Sequence, residues 1–289
     1  MRIAAIQSGG GKTYGAVDAG RFTPFAGRGG QVLADLPQVI AAGRAGLQAG
    51  TNRGAASALD PATLAAPVGP LPKNVMCVGK NYHEHAHEFA NSGYDAGSRQ
   101  AVPEHPIIFT KGANTIARPF QAIDASTDDT GTLDYEGELG VVIGTRCKGA
   151  SRADAMRHVF GYTLVNDLTA RGLQHRHNHW FVGKNLDGFC PVGPWIVTAD
   201  EMGELRDLEL TTTVNGERRQ RTTIGQMIFD IPTIISTLSA YLTLEPGDLI
   251  ATGTPAGVGA GFTPPRFLKS GDQVTIALTG LGELTNTIL

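Results

Sequence analysis

The sequence predicts a β-rich α+β protein, and three observations carry that expectation. Short apolar runs bounded by turn residues recur along most of the chain. Apolar residues at helical spacing are confined to a few stretches. The 289 residues include 38 glycines and 16 prolines, a supply of turn formers that suits many short strands.

From the N-terminus, RIAAIQ, TYGAVDAG and RFTPF alternate apolar runs with glycine turns, as a small β-meander does. QVLADLPQVIAAGRAGLQAG then shows helical spacing that Pro37 interrupts. Residues 51–72 are rich in Ala, Gly and Pro without periodicity and read as a connector with room for one short strand. The chain is therefore expected to divide into a small N-terminal domain with its connector, 1–71, and a main domain, 72–289. In the main domain the expected strands begin with VMCVG (75–79), PIIFT (106–110), ELGVVIG (138–144), HVFGYTLVND (158–167) and PWIVT (194–198). LELTTTVNG (208–216), DLIATG (248–253) and QVTIALTG (273–280) follow. Two helices are expected between them. SRADAMRHV (151–159) opens on a Ser N-cap with an acidic residue three positions later, and GQMIFDIPTIISTLSAYL (225–242) is broken by Pro232. The spacing is too irregular for repeated βαβ units, and there are no internal repeats.

A formal charge of −3 and a pI near 6.2 give no electrostatic reason to expect nucleic acid or an anionic membrane. Cys77, Cys147 and Cys190 are scattered, form no C-x-x-C, and read as buried free thiols in a reducing compartment. The N-terminal apolar run is too short for a signal peptide and no run reaches membrane-spanning length, so a cytoplasmic protein is expected.

One segment carries two incompatible patterns. In YHEHAHEF, His83, Glu84 and His87 fit H-E-x-x-H, which on a helix offers two metal ligands on one face. The same segment, opening on Tyr82 with Asn81 ahead of it, places His85 and Glu88 three residues apart on another face, as a hydrogen-bonded pair. Two glycine-rich stretches look like nucleotide sites and are not. GGGKT (9–13) lacks the first glycine of a phosphate loop and runs into a strand-like segment, while GTPAGVGAGF (253–262) is followed by Pro264 and Pro265, which forbid the required helix. Both read as turns.

LDYEGELGVVIG is the most informative segment. Residues two apart in a strand share a face, so Glu136 and Glu138 project together. On a buried face two carboxylates repel and lose hydration, a conflict that a hard divalent cation resolves. Asp167, at the end of the GYTLVND run, is available as a third oxygen ligand. Three carboxylates without cysteine suit Mg²⁺ or Mn²⁺, with Ca²⁺ in the same class, better than Zn²⁺. An exposed acidic edge is the alternative that spacing leaves open.

These pieces also occur in a collinear set. VGKNYHEHAHE, PIIFTK, DYEGELGVVIG, GYTLVNDLTARGLQ, VGKNLDGFCPVGPW, VNGERRQ, TLEPGDLIATGTPAGVG and FLKSGD together resemble the fumarylacetoacetate hydrolase family from Pro72 to Leu289. The resemblance implies a mixed β-sandwich roll, often dimeric, with a variable small N-terminal domain. It implies Glu136, Glu138 and Asp167 as metal ligands and His85 with Glu88 as a catalytic dyad on a short lid-like helix. Lys184 falls near the substrate oxygen, and Gln174 and Thr254 at substrate contacts. Lys111 and Arg171 match motif positions without an assigned role. On this resemblance H-E-x-x-H is a coincidence. The implied activity is metal-dependent hydrolysis of the C–C bond of an acylpyruvate-type 2,4-dioxo acid through a metal-bound enolate. Tautomerisation, isomerisation or decarboxylation of a small 2-oxo diacid such as oxaloacetate is the alternative. The expected partners are a small 2-oxo acid and a second copy of the chain.

Overall fold

The computed structural model describes residues 1–9, 11–27, 30–49, 56–94 and 102–289. Part of the expected connector (51–55) and residues 95–101, which follow the His–Glu segment in sequence, lie outside the described residues. A twelve-stranded sheet runs through the molecule. Its order is Ser57–Ala58, Arg21–Pro24, Gly11–Asp18, Arg2–Ser8, Cys190–Thr198, Val159–Asn166, Gly137–Ile143, Leu249–Ala251, Val75–Gly79 and Ile107–Lys111. Leu64–Ala65 and Ile116–Ala117 pair off this path. The N-terminal meander therefore continues the main sheet, through Arg2 opposite Val197 and Ile3 opposite Ile196. A second, five-stranded sheet contains Glu217–Thr223, Glu209–Val214, Gln273–Leu278, Gly282–Ile288 and Ala122–Ile123.

Gly137–Ile143 is buried along its whole length, because both faces of the large sheet are covered there. Leu139, Val141 and Ile143 pack on one side with Leu210, Ile276, Leu278 and Leu284 of the small sheet and Ile234, Ile235 and Leu238 of the Ile231–Tyr241 helix. Val142 faces the other side, among Val165, Val192, Ile3, Tyr14, Leu36 and Val39. The alternation expected from a period of two is thus realised against two hydrophobic clusters, in a β-rich mixed architecture.

The eight expected main-domain strands are all present, with small shifts of boundary. Two proline expectations are corrected. Pro37 lies in the first turn of the Leu36–Ala49 helix, where a missing N–H costs no intrahelical bond, and Asp35 caps that end by accepting from Gln38 N at 2.8 Å. The interruption falls instead at Gly43, with φ 61° and ψ 168°. Pro232 likewise starts the Ile231–Tyr241 helix behind an Asp230 N-cap. Ser151 caps as expected, but the helix behind it is only Arg152–Ala155, followed by a 3₁₀ turn. Strands Glu217–Thr223 and Gly282–Ile288 and helices Arg171–His177 and Trp180–Lys184 carry too little apolar periodicity, or are too short, to stand out in the sequence.

Candidate metal centre and active site

Antiparallel pairing sets up the acidic cluster. Gly137 lies opposite Asn166, and the next residues outward continue the ladder, Asp167 N donating to Glu136 O at 2.9 Å. Glu136 and Asp167 are therefore cross-strand neighbours, and Glu138 joins Glu136 on the same face. One oxygen from each of the three carboxylates lies within 4.8 Å of the others. All three side chains are buried, which removes the exposed-edge alternative.

Burying carboxylates this close costs several kcal/mol per ion unless they are compensated. Lys184 Nζ donates to Glu136 Oε2 and to Asp167 Oδ2, each at 2.7 Å. Lys111, fully buried, lies 2.8 Å from Asp167 Oδ1 and donates to Leu168 O at 2.9 Å and to Lys184 O. Arg171 reaches Glu136 Oε1 at 2.6 Å and Asp134 Oδ2 at 2.9 Å. Lys111 and Arg171, which the sequence left without a role, thus clamp the cluster from behind and beside it. Burial opposes ionisation of Glu136, but Lys184 and Arg171 override it and bring the carboxyl to about 2. Glu138 behaves oppositely. Burial first, and then the charges of Asp167 and Glu136, push it well above the usual carboxylate range, against the charge of Lys184 and a 2.7 Å hydrogen bond from Gly253 N. Burial also works against the Lys184 charge, yet Asp167 and Glu136 hold its ammonium on.

Ionised, Asp134, Glu136, Glu138 and Asp167 exceed Lys111, Arg171 and Lys184 by one negative charge. A divalent cation held by Glu136, Glu138 and Asp167 would supply the positive charge needed to keep all of these carboxylates ionised, Glu138 included. The donor set fits a hard cation: three carboxylate oxygens, with the buried Cys77 and Cys190 thiols pushed upward in pKa by burial and thus kept from thiolate chemistry.

The cleft in front of the cluster holds roughly 320 Å³ of empty space, its mouth included. Its floor and far side are Glu136, Glu138, Arg171, Gln174, Lys184 and Thr254. The opposite wall is aromatic. Phe89 and Phe109 both meet Trp180 edge to face, with ring centroids 6.4 Å and 5.2 Å apart. His85 opens into this cleft from the His83–Asn91 helix, stacked on Phe89 at 5.8 Å. Its Nδ1 lies 3.2 Å from Glu88 Oε2, and Glu88 Oε1 accepts from Gly257 N at 2.9 Å. That leaves Nε2 as the other ring nitrogen.

The structure brings all eight expected site residues to one region, seven of them lining the cleft or its metal cluster and Glu88 behind His85. Gln174 turns its Oε1 to Arg171 at 3.3 Å. Thr254 donates its hydroxyl to Gly137 O at 3.0 Å and accepts from Gln220 Nε2 at 2.8 Å, so that hydroxyl is engaged with the scaffold. His83 and His87 face outward and are exposed, and among the described residues the group able to gather three ligands is the carboxylate cluster. Sequence reasoning missed Asp134 and Gln220, both buried polar residues in segments quoted for other reasons. A signal existed for Asp134, an acid two residues before Glu136 in a hydrophobic context. Gln220 sits in a polar strand and offered none.

A family model described as fumarylacetoacetate (FAA) hydrolase C-terminal matches residues 74–289. The chain is 49% identical over 225 residues to oxaloacetate tautomerase YisK of Bacillus subtilis, covering 78% of this chain and 72% of that one. A fumarylacetoacetate hydrolase structure from Exiguobacterium antarcticum is 40% identical with a TM-score of 0.82, covering 100% of this chain and 99% of that one. A maleylpyruvate hydrolase structure from Sphingobium sp. SYK-6, in complex with manganese(II) and pyruvate, is 29% identical with a TM-score of 0.78, at 100% and 99% coverage. This chain belongs to the fumarylacetoacetate hydrolase family and is an enzyme of its hydrolase or isomerase–tautomerase kind.

Proposed function

We propose that this chain is an Mg²⁺- or Mn²⁺-dependent enzyme that interconverts the keto and enol forms of a small 2-oxo diacid of the oxaloacetate type. The observation that carries this is a His–Glu pair and a buried three-carboxylate cluster bordering one cleft. The oxaloacetate tautomerase at 49% identity supports the choice among the family's reactions.

Glu136, Glu138 and Asp167 are the residues that would hold the cation, which when bound supplies the Lewis acidity that makes the C3 hydrogens of a 2-oxo acid labile. His85 Nε2 takes a proton from C3, and Glu88 orients the ring and stabilises the imidazolium that results. The same imidazolium returns the proton to the C2 oxygen to give the enol, or to C3 in the reverse direction. Lys184 adds positive potential where negative charge develops on that oxygen. Gln174, its Oε1 already facing Arg171, has its amide hydrogens for a substrate carboxylate. Thr254 shapes the same end of the cleft, and Phe89, Phe109 and Trp180 exclude water from the carbanion.

Hydrolysis of an acylpyruvate is the second reading, because the same dyad could take a proton from water instead of from C3, and a maleylpyruvate hydrolase is among the similar structures. Following the ultraviolet absorbance of enol-oxaloacetate and of acetylpyruvate separates the two. Tautomerisation should show the larger kcat/KM, and faster acetylpyruvate cleavage would replace it with hydrolysis. We also propose a homodimer, on the family resemblance; a monomer mass by light scattering would remove it.

A further inference from the structure

The loop Gly257–Gly261, set aside as a turn in the sequence, receives two carboxylates. Glu88, from the His83–Asn91 helix, accepts from Gly257 N. Asp134 accepts from Gly259 N at 2.6 Å and from Ala260 N at 3.0 Å. Neither carboxylate leaves room for ordinary residues. A Cβ on Gly261 would lie 2.1 Å from Glu88 Oε1, and one on Gly259 would lie 2.7 Å from Asp134 Oδ1.

The metal side of this loop is equally specific. Asp134 is fully buried and all four of its partners are donors: Gly259 N, Ala260 N, Tyr135 N at 2.9 Å and Arg171 Nε at 2.9 Å. Tyr135 adds a hydrogen bond from its hydroxyl to Gly257 O at 2.8 Å. The next residue is Glu136, whose Oε1 meets the same Arg171. Three consecutive residues thus hold the loop twice and then supply a carboxylate to the cluster.

We infer that Asp134 is a positioning residue, assisted by Tyr135, that fixes the loop to which Glu88 is bonded at a set distance from the carboxylate cluster and so registers His85 against the substrate. The requirement is chemical as well as steric. An asparagine offers one acceptor oxygen where the carboxylate offers two, and its NH₂ would face N–H donors. Asp134→Asn therefore loosens both the loop and Arg171. Tyr135→Phe removes one hydroxyl and leaves the ring. Reacting groups held on a near-attack geometry lose rate steeply when displaced, so kcat should suffer more than KM.

The inference rests on the dyad and cluster reading above, and the test separates the two by including a measurement without substrate. Backbone hydrogen exchange, read by mass spectrometry on the full chain with Mn²⁺, should accelerate by about tenfold or more in 83–91 and 257–261 in Asp134→Asn. Exchange in the Gly137–Ile143 and Val159–Asn166 strands should stay unchanged. Tyr135→Phe should do the same to a smaller degree, with kcat for oxaloacetate tautomerisation falling several-fold at constant KM. Exchange in 83–91 that stays at the wild-type rate in both variants overturns the inference. So does acceleration spread evenly over the large sheet, which would mark a general loss of stability. If the helix loosens but wild type does not turn over oxaloacetate, the positioning stands and the proposed reaction falls.

Discussion

The two halves of the candidate active site are built on opposite principles. The carboxylates sit on or just beyond the ends of two paired strands in the middle of a twelve-stranded sheet, and the Gly137–Ile143 strand is buried on both sides. The His85–Glu88 pair rides on a nine-residue helix whose outer face, including His83, Glu84 and His87, is exposed and whose N-cap Tyr82 provides no side-chain capping bond. Helices of that length are marginal by themselves, so this one depends on Phe89, on Ala86 and on the Glu88 bond to Gly257. A cation needs ligands whose positions do not drift, whereas a base above the cleft has to let substrate in. On the proposed function, rigidity falls where a cation would bind and adjustability where substrate would enter.

The contrast is sharpest for substitutions within the cluster. Glu138→Ala removes one ligand oxygen and should cost activity more than the 10- to 100-fold typical of outer partners of a metal site, with metal content falling in parallel by elemental analysis. Activity with full metal occupancy would break the assignment of Glu138 as a ligand. On the helix, His85→Ala should lower kcat by about 10²- to 10⁴-fold, the range for a lost general base, while metal content and melting temperature stay near wild type. Loss of metal in that variant would mean that the two halves are not separable.

A pH experiment probes the cluster alone. Glu138 has a folded-state pKa well above its usual 4.5, so between those two values the native state holds a proton that the unfolded chain has released. The stability this contributes is complete below the unfolded value and is lost as pH rises through the folded one. Metal-free protein should therefore lose melting temperature as pH rises above about 4.5. Glu136, held at about 2, works in the other direction only in acid, where its contribution is lost as pH falls. Because a cation takes the place of the Glu138 proton, stabilisation by added Mn²⁺ should grow with pH. Scanning calorimetry with and without Mn²⁺ would show it, and a metal effect independent of pH would contradict it. The smallest effects belong to the outer face of the helix. His83→Ala and His87→Ala should stay within about 0.5 kcal/mol of wild-type stability, with metal content unaltered.

Much of this was legible because burial leaves a period. The apolar alternation of LGVVIG announced an internal strand, and acids entering such a strand announced a charge conflict. Proline misled at residues 37 and 232, since in a sequence a helix-starting proline looks like a helix-breaking one until the cap is seen. Lys111 could not be understood from sequence, because its role depends on Leu168 O and Asp167 converging from more than 50 positions away. The carboxylate-holding use of GTPAGVGAG was hidden for a related reason. Its function lies in backbone N–H groups, which every residue but proline carries.

The most direct test of the account follows deuterium entering C3 of pyruvate in deuterated water by NMR, because that step isolates enolisation from any later bond cleavage or tautomer release. Wild-type protein loaded with Mg²⁺ should catalyse the exchange. Chelation should stop it and returned metal should restore it, and His85→Ala should be nearly inactive while still binding Mn²⁺. Exchange that persists after chelation, or that continues at the wild-type rate without His85, would contradict a site in which the carboxylate cluster and the dyad act on the same 2-oxo acid.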